Sequence, residues 1–91
     1  MKNNYIDPFN YNIPSLDLHG YDRNMARIAT LDFINDNLKQ KKEKICIIHG
    51  KGSGIIKNTV YDTLKKDKRI LEYKSSYFNM GCTIVWLKFD K

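Results

Sequence analysis

The 91-residue chain carries 16 Lys and Arg against 10 Asp and Glu, a formal net charge of +6, and 42% of its residues are hydrophobic. This length fits one small globular domain with a single core, and the hydrophobic fraction is too high for a disordered chain. No apolar run approaches the ~20 residues of a membrane span, and the first residues contain no apolar segment of a signal peptide. We therefore expect a cytoplasmic protein without a membrane partner.

The first predicted elements are an extended arm and a short strand. Residues 1–14 are polar and aromatic, include both prolines of the chain and show no periodicity, so we expect an extended N-terminal arm. Residues Ser15 to His19 predict a strand that ends at Gly20. Asp17 lies between two leucines of this strand, and because an unpaired buried carboxylate is costly, we expect it to have a partner.

A helix and a buried strand follow. Asp22 is a favourable N-cap, and the helix is expected to end near Lys42. At 100° per residue, the core face of this helix is expected to consist of Ile28, Leu31, Ile34 and Leu38. The run from Ile45 to Ile48 is continuously apolar, which predicts a strand buried on both faces.

A glycine-rich loop, a second helix and a hairpin complete the predicted order. Residues 50–54 hold three glycines and precede a helix that Ser53 is expected to cap. The core face of this helix is expected to consist of Ile56, Val60 and Leu64. Residues 70–78 and 82–89 predict two strands, which residues 79–81 join as a hairpin. The alternation of strands and helices predicts an α/β fold.

The two cysteines are expected to be structural. Cys46 and Cys82 each lie inside an apolar run, where a free thiol behaves as a small hydrophobic group. A disulfide is disfavoured in the cytoplasm. Two cysteines and two distant histidines do not have the spacing of a zinc site, so no metal ligand is assigned.

Lysine is concentrated in two stretches. Residues 39–57 contain six lysines against one glutamate, and a second basic cluster spans residues 65–69. Such clusters are typical of a solvated surface, or of a surface that binds a polyanion such as DNA, RNA or an RNA-rich particle. An anionic membrane is disfavoured because the lysines do not lie opposite a strongly apolar helix face.

Both histidines occupy equivalent places in the sequence. His19 and His49 each follow an apolar strand and precede a glycine, thirty residues apart, about the length of one βαβ unit. Strands joined by a helical crossover are parallel, so their carboxyl ends meet at one edge of the sheet, where sites of α/β proteins form. Each histidine could instead be a turn residue bonded to the backbone. Asp17 could fix the loop after its strand, or orient His19 or act as a base beside it.

The glycine-rich loop adds groups that suit phosphate. Backbone N–H groups at a helix N-terminus bind phosphate oxygens, and Lys51 and Lys57 add positive charge nearby. The loop matches neither of the common glycine-rich nucleotide-binding motifs. The residues alone therefore predict a basic domain whose sheet edge binds or cleaves a phosphodiester, with a base, an acid and cations for the developing charge.

Three segments resemble the Smr (small MutS-related) domain: residues 16–20 (LDLHG), 48–54 (IHGKGSG) and 81–87 (GCTIVWL). The resemblance covers about residues 15 to 88, so we interpret residues 15–91 as one Smr domain, either free-standing or excised, and residues 1–14 as the arm. It implies a βαβαββ, α+β two-layer sandwich in which two helices pack on a four-stranded mixed sheet. This fold is similar to the C-terminal domain of bacterial translation initiation factor three.

The resemblance also implies functional residues. Smr domains are described as endonucleases that nick DNA, and others cleave messenger RNA at collided ribosomes. Catalytic roles are implied for Asp17, His19 and Lys57, and nucleic-acid binding for His49, Gly50, Lys51, Gly52, Ser53 and Gly54. The family commonly has Arg where this chain has Lys57. Because Lys offers a point charge and Arg a planar fork, binding is expected to tolerate this difference better than cleavage does.

The residues and the resemblance leave three functions to weigh. The favoured one is an endonuclease in which His19, oriented by Asp17, is the general base. The alternative is a non-catalytic module that docks on nucleic acid or on the ribosome, and a weaker third reading is a protein-interaction domain with incidental charge. The sequence does not decide whether the substrate is DNA or RNA, or whether a divalent cofactor such as Mg²⁺ or Mn²⁺ is needed. It also leaves the oligomeric state open.

Overall fold

The computed structural model describes residues 13–50, 52, 54–76 and 81–89. In chain order they form the strand β1 (Ser15–Asp17), the helix α1 (Arg23–Lys39), the strand β2 (Lys44–Ile48), the helix α2 (Ile55–Lys65) and the strands β3 (Ile70–Ser75) and β4 (Cys82–Leu87). The predicted order of elements is confirmed, although β1, β3 and β4 end a few residues earlier than predicted. The predicted arm lies outside the described residues, except for residues 13 and 14.

The four strands form one mixed sheet in the order β1-β2-β4-β3. Strand β1 pairs in parallel with β2, and β4 pairs antiparallel with both β2 and β3. The parallel pair is the one that α1 connects, and the β3–β4 pair is the predicted hairpin. The central strands β2 and β4 carry the continuous apolar runs, as expected for strands that are covered on both faces.

Both helices pack against the same face of the sheet and against each other, which gives the expected two-layer α+β arrangement. The buried residues of this main core are Leu18, Ala26, Ile34, Ile45, Ile47, Val60, Leu64, Val85 and Leu87. Alternate residues of the central strands point to the opposite face, where Cys46, Cys82 and Ile84 form a smaller buried cluster. Both cysteines are buried free thiols, as predicted. Neither helix of the described chain is long and apolar enough to cross a membrane.

Helix α1 has a cap at each end. The Asp22 carboxylate accepts a hydrogen bond from the Met25 amide at 2.8 Å, which confirms the predicted N-cap. The helix ends at Lys39, and the amides of Lys41 and Lys42 donate back to carbonyls of the last turn in a Schellman motif. Lys41 has a φ of 60°, a left-handed conformation that glycine adopts at far lower cost.

The buried face of α1 differs from the predicted one. Its buried residues are Ala26, Thr30, Ile34 and Asn37. Ile28 was expected in the core but is 46% exposed, because it lies about 200° around the helix from Ala26. Of the other predicted residues, Leu31 is half-buried and Leu38 packs against the core. The small side chains of Ala26 and Thr30 allow the helix to approach the core closely, and the spacing of large apolar residues does not indicate this.

Helix α2 begins differently from the prediction. Its N-cap is Gly54, with a φ of 89° and no side-chain cap, so the expected capping by Ser53 is wrong. Ser53 itself lies outside the described residues. Because the helix starts at Ile55, the residue that turns the chain into it needs the left-handed conformation available to glycine. The predicted core face is confirmed: Val60 and Leu64 are buried, and Ile56 packs against the core.

Candidate functional site

The carboxyl ends of β1 and β2 meet at one edge of the sheet, as predicted for parallel neighbours. The Leu18 amide donates to the Ile48 carbonyl at 2.8 Å, so the chain leaves the sheet at His19 and at His49 side by side. The glycines that follow the two histidines have φ values of 82° and 83°. Left-handed backbone at both positions explains why each histidine precedes a glycine. The two motifs therefore build one edge of the molecule together.

Asp17 fixes the loop that presents His19. Its Oδ1 accepts a hydrogen bond from the His19 backbone N–H at 2.9 Å. Asp17 is exposed and has the expected partner, but the bond goes to the backbone and not to the ring. Within the described residues, the imidazole of His19 is exposed and makes no hydrogen bond. The structure thus shows the loop-fixing role of Asp17 and presents the His19 ring to solvent.

Unlike His19, His49 is buried and its ring is hydrogen-bonded. It is 8% exposed. Its Nε2 lies 2.7 Å from the Thr83 hydroxyl and its Nδ1 lies 3.1 Å from the Gly50 carbonyl. Burial lowers the pKa of His49 below its ordinary 6.5; the Gly50 carbonyl opposes this and the positive charge of Lys57 adds to it. At neutral pH the ring is therefore uncharged: Nδ1–H donates to the carbonyl and Nε2 accepts from Thr83.

A polar network behind His49 connects the sheet to α2. The Thr83 hydroxyl lies 3.4 Å from the Tyr61 hydroxyl, which is 2.8 Å from the Ser75 hydroxyl. The Tyr61 ring meets the His49 ring edge-to-face, with 6.3 Å between their centroids. The Lys57 ammonium lies 5.6 Å from the centroid of the Tyr61 ring, a cation–π distance. The network holds Lys57 at the sheet edge and ties His49 into the core.

The sequence interpretation missed the hydroxyl groups of this network: Tyr61, Ser75 and Thr83. Tyr61 lies one helical turn after Lys57, so its position beside the lysine was readable from the spacing. Thr83 carries a hydroxyl within an apolar strand, which indicates a buried hydrogen bond, but less clearly than the spacing of Lys57 and Tyr61 indicates their contact. Nothing in the sequence indicates that residues 22 positions apart share a hydrogen bond.

The first amides of the glycine-rich loop are already bonded within the protein. The His49 and Gly50 amides donate to the Gly81 carbonyl at 2.8 and 3.0 Å. Their N–H groups are therefore not donors for phosphate, contrary to the simple expectation for this loop. Their role is to tie the loop to the first residues of β4, which explains why the segment 81–87 accompanies the two histidine motifs.

The rest of the loop leads into α2. Gly52 is exposed and Gly54 is the N-cap of the helix, whereas Lys51 and Ser53 lie outside the described residues. The first turn of a helix presents backbone N–H groups that the helix itself does not use, and the helix dipole adds partial positive charge there. The N-terminus of α2, with Lys57 half-buried in its first turn, is therefore the part of this edge where we expect phosphate to bind.

The described residues contain no group of three or more His, Cys, Asp or Glu side chains that could hold a metal ion. Asp17, His19 and His49 do not form such a group: His49 is bonded to Thr83, and Asp17 to the His19 amide. What the edge offers is an exposed imidazole, an ammonium group and a helix N-terminus. This combination suits acid–base chemistry on a phosphodiester.

Known proteins resemble the chain over the same region. A family model described as the Smr domain matches residues 16–88. A protein named endonuclease MutS2 from Staphylococcus saprophyticus is 33% identical over 76 residues, which are 80% of this chain and 10% of that protein. The endonuclease MutS2 of Clostridium acetobutylicum is 31% identical over 77 residues, 81% of this chain and 10% of that protein. The chain thus spans about a tenth of the length of these relatives.

Two solved structures share the fold. The Smr domain of Thermus thermophilus MutS2 superposes with a TM-score of 0.81 at 22% identity, and the match covers 84% of this chain and 99% of that one. YdaL, a stand-alone small MutS-related protein from Escherichia coli, superposes with a TM-score of 0.77 at 24% identity, covering 82% of this chain and 64% of that one. These matches confirm the predicted four-stranded mixed sheet with two helices.

Proposed function

The chain belongs to the Smr domain family, and we propose that it binds nucleic acid at the carboxyl edge of its sheet and cleaves the phosphodiester backbone there. One observation carries the proposal: the His19 imidazole is exposed and without a partner among the described residues, on a loop fixed by Asp17, at the edge where α2 begins. A structural histidine would have a partner, as His49 does. A ring held ready for a substrate would not.

Binding rests on charge and on the helix N-terminus. The net charge of +6 attracts a polyanion. Lys57 and the positive end of the α2 dipole give one phosphate a local site, with the ammonium held over the Tyr61 ring. The relatives named endonuclease MutS2 support a nucleic acid as the ligand.

The chemistry needs one proton acceptor and one source of positive charge. His19 takes the proton from the attacking oxygen, which belongs to water or to a ribose 2′-hydroxyl. The oxygen bonds to phosphorus as the bond to the leaving oxygen breaks, and the leaving oxygen takes a proton from the imidazolium or from water. Lys57 and the α2 amides stabilise the charge that develops on the phosphoryl oxygens. Asp17 is a positioning residue, since it acts through the His19 backbone.

The test is a cleavage assay with supercoiled plasmid and end-labelled single-stranded RNA, each with and without Mg²⁺ or Mn²⁺. We expect cleavage by the unchanged chain, and a loss of about a hundredfold or more in His19→Ala. Binding by His19→Ala should be nearly intact. Cleavage that persists in His19→Ala would overturn the mechanism.

Two substitutions of Asp17 distinguish a role in fixing the loop from a role that needs the carboxylate charge. Asp17→Asn keeps a carbonyl oxygen that accepts the His19 amide, whereas Asp17→Ala removes the acceptor. If Asp17 acts by fixing the loop, Asn retains most of the cleavage and Ala loses it. An equal loss in both variants would show that the carboxylate charge itself is required.

A non-catalytic docking module is the second candidate, favoured by one departure from the family. The resemblance to the family implies Arg at the position of Lys57, and a point charge stabilises a transition state less well than a bidentate fork does. This candidate predicts binding that weakens with salt and yields no product. The ribosome as a partner and a cytoplasmic location stay predictions.

A further inference from the structure

The two basic clusters of the sequence meet at the end of the molecule opposite the His19 edge. Lys41 lies in the loop after α1, Lys68 and Arg69 lie between α2 and β3, and Lys88 follows β4. Together with Leu38 and Phe89 they line a groove of about 530 Å³. The Lys88 amide donates to the Arg69 carbonyl at 2.8 Å, which brings the chain after β4 against the loop before β3.

The groove is strongly positive. Four cationic residues line it, and none of the lining residues that the structure describes is acidic. Arg69 forms a bidentate pair with Asp67, at 3.0 and 2.8 Å. Lys41, Lys68 and Lys88 are exposed and form no ion pair among the described residues. Three ammonium groups are thus left to repel one another unless an anion lies between them.

The position of the groove relates it to the His19 edge. Strand β4 connects Gly81, beside the His49 loop, with Lys88 in the groove. Its six residues span about 17–20 Å. This separation corresponds to about five or six nucleotides along one strand of a duplex. One nucleic-acid molecule lying along the side of the sheet therefore reaches both places.

We propose that this groove, hereafter the lysine groove, binds the sugar–phosphate backbone of the nucleic acid whose scissile bond lies at the His19 edge. The inference rests on the proposed function. Its ligand follows from charge complementarity: the three exposed ammonium groups attract phosphates, and the apolar side chains of Leu38 and Phe89 in the lining suit sugar carbons. Because these contacts reach phosphate and sugar only, they add affinity and fix the register without reading the sequence.

The test measures binding of fluorescently labelled oligonucleotides, RNA and DNA, over a series of salt concentrations. The groove variant is Lys41→Gln/Lys68→Gln/Lys88→Gln. The control variant is Lys39→Gln/Lys65→Gln/Lys74→Gln, which removes the same charge from exposed lysines outside the groove. All six positions are exposed, so both variants should fold, and thermal unfolding checks this. Two lengths are used: about 4 nucleotides, which cover only the His19 edge, and about 16, which reach the groove.

We expect the groove variant to lose about tenfold or more in affinity for the long oligonucleotide relative to the control variant. The slope of log K against log salt should become shallower by about 2, the value for three lost single-strand contacts. Affinity for the short oligonucleotide should be equal in both variants. Equal losses for the long oligonucleotide would overturn the inference while leaving the proposed function intact.

Two further outcomes also decide the question. If polyglutamate of matched charge displaces the long oligonucleotide as well as unlabelled RNA does, and this displacement needs the three lysines, the groove takes an acidic protein and the inference is wrong. If the unchanged chain binds neither RNA nor DNA at low salt, the proposed function fails, and the inference fails with it.

Discussion

Two buried threonines allow the polar network around His49 to be tested with a single chemical change. Thr83 and Thr30 are both 0% exposed. The Thr83 hydroxyl lies 2.7 Å from His49 Nε2. Within the described structure, the Thr30 hydroxyl has no hydrogen-bond partner. Replacement by Val exchanges the hydroxyl for a methyl group of nearly the same shape. The two variants therefore measure what a hydrogen-bonded and an unbonded buried hydroxyl each contribute to the free energy of unfolding.

The two substitutions should have opposite signs. Thr83→Val leaves the buried Nε2 of His49 without a donor, which costs about 1–3 kcal/mol. Thr30→Val removes a hydroxyl that was desolvated without compensation and should stabilise the protein by about 1 kcal/mol. The variants should therefore differ by about 2–4 kcal/mol. For a domain of this size, that difference corresponds to about 10–20 °C in Tm.

The assay is urea unfolding at pH 7.5, followed by Trp86 fluorescence and circular dichroism, with thermal melts alongside. Equal m-values are required, so that the difference in free energy of unfolding is read between comparable transitions. If Thr30→Val and Thr83→Val lowered the free energy of unfolding equally, the reasoning would be refuted. Both losses would then come from altered packing and not from the hydrogen bond. Stability unchanged by Thr83→Val would show that the His49 bond contributes nothing net.

Three more predictions concern single groups. Lys41→Gly should raise the free energy of unfolding by about 0.5–1 kcal/mol, because it relieves a left-handed φ at the end of α1; no gain in urea unfolding would contradict this. Burial lowers the pKa of His49 in the folded protein, so the histidine binds a proton more readily in the unfolded chain. His49 therefore makes its full contribution to the free energy of unfolding above pH 6.5, and this contribution is lost as the pH falls towards the folded-state pKa. His49→Gln should abolish that part of the pH dependence; an unchanged pH profile would count against it. Lys57→Arg should raise the cleavage rate while affinity changes less than about threefold, and a slower reaction would contradict the phosphate role.

The sequence predicted the architecture because its signals were local. The run Ile45–Ile48 could only be a central strand, and the crossover to it fixed β1 in parallel. The position of the candidate site followed from the same rule, since both histidines follow the ends of parallel strands. Asp22 was correctly predicted to be the cap because capping depends on four consecutive residues, 22 to 25, and not on tertiary contacts.

The different roles of the two histidines could not be predicted. His19 and His49 each follow an aliphatic residue and precede a glycine, but only His49 contacts Thr83, which lies 34 positions away on a strand that pairs with β2. The buried face of α1 was misread for a related reason. Ala26 and Thr30 contribute little to hydrophobic periodicity, but they lie where the helix approaches the core, and Ile28 does not. In both cases, contacts between residues distant in sequence determine which side chains are buried, and the local sequence pattern does not show these contacts.

The division of labour between the two histidines is the central claim, and one comparison tests it most directly. His19→Gln and His49→Gln are assayed beside the unchanged chain for cleavage of labelled RNA and plasmid, with thermal unfolding measured for all three. We predict that His19→Gln unfolds at the same temperature, binds nucleic acid and cleaves neither substrate. His49→Gln should unfold at a lower temperature but cleave while it is folded. Cleavage by His19→Gln at the unchanged rate would contradict the account.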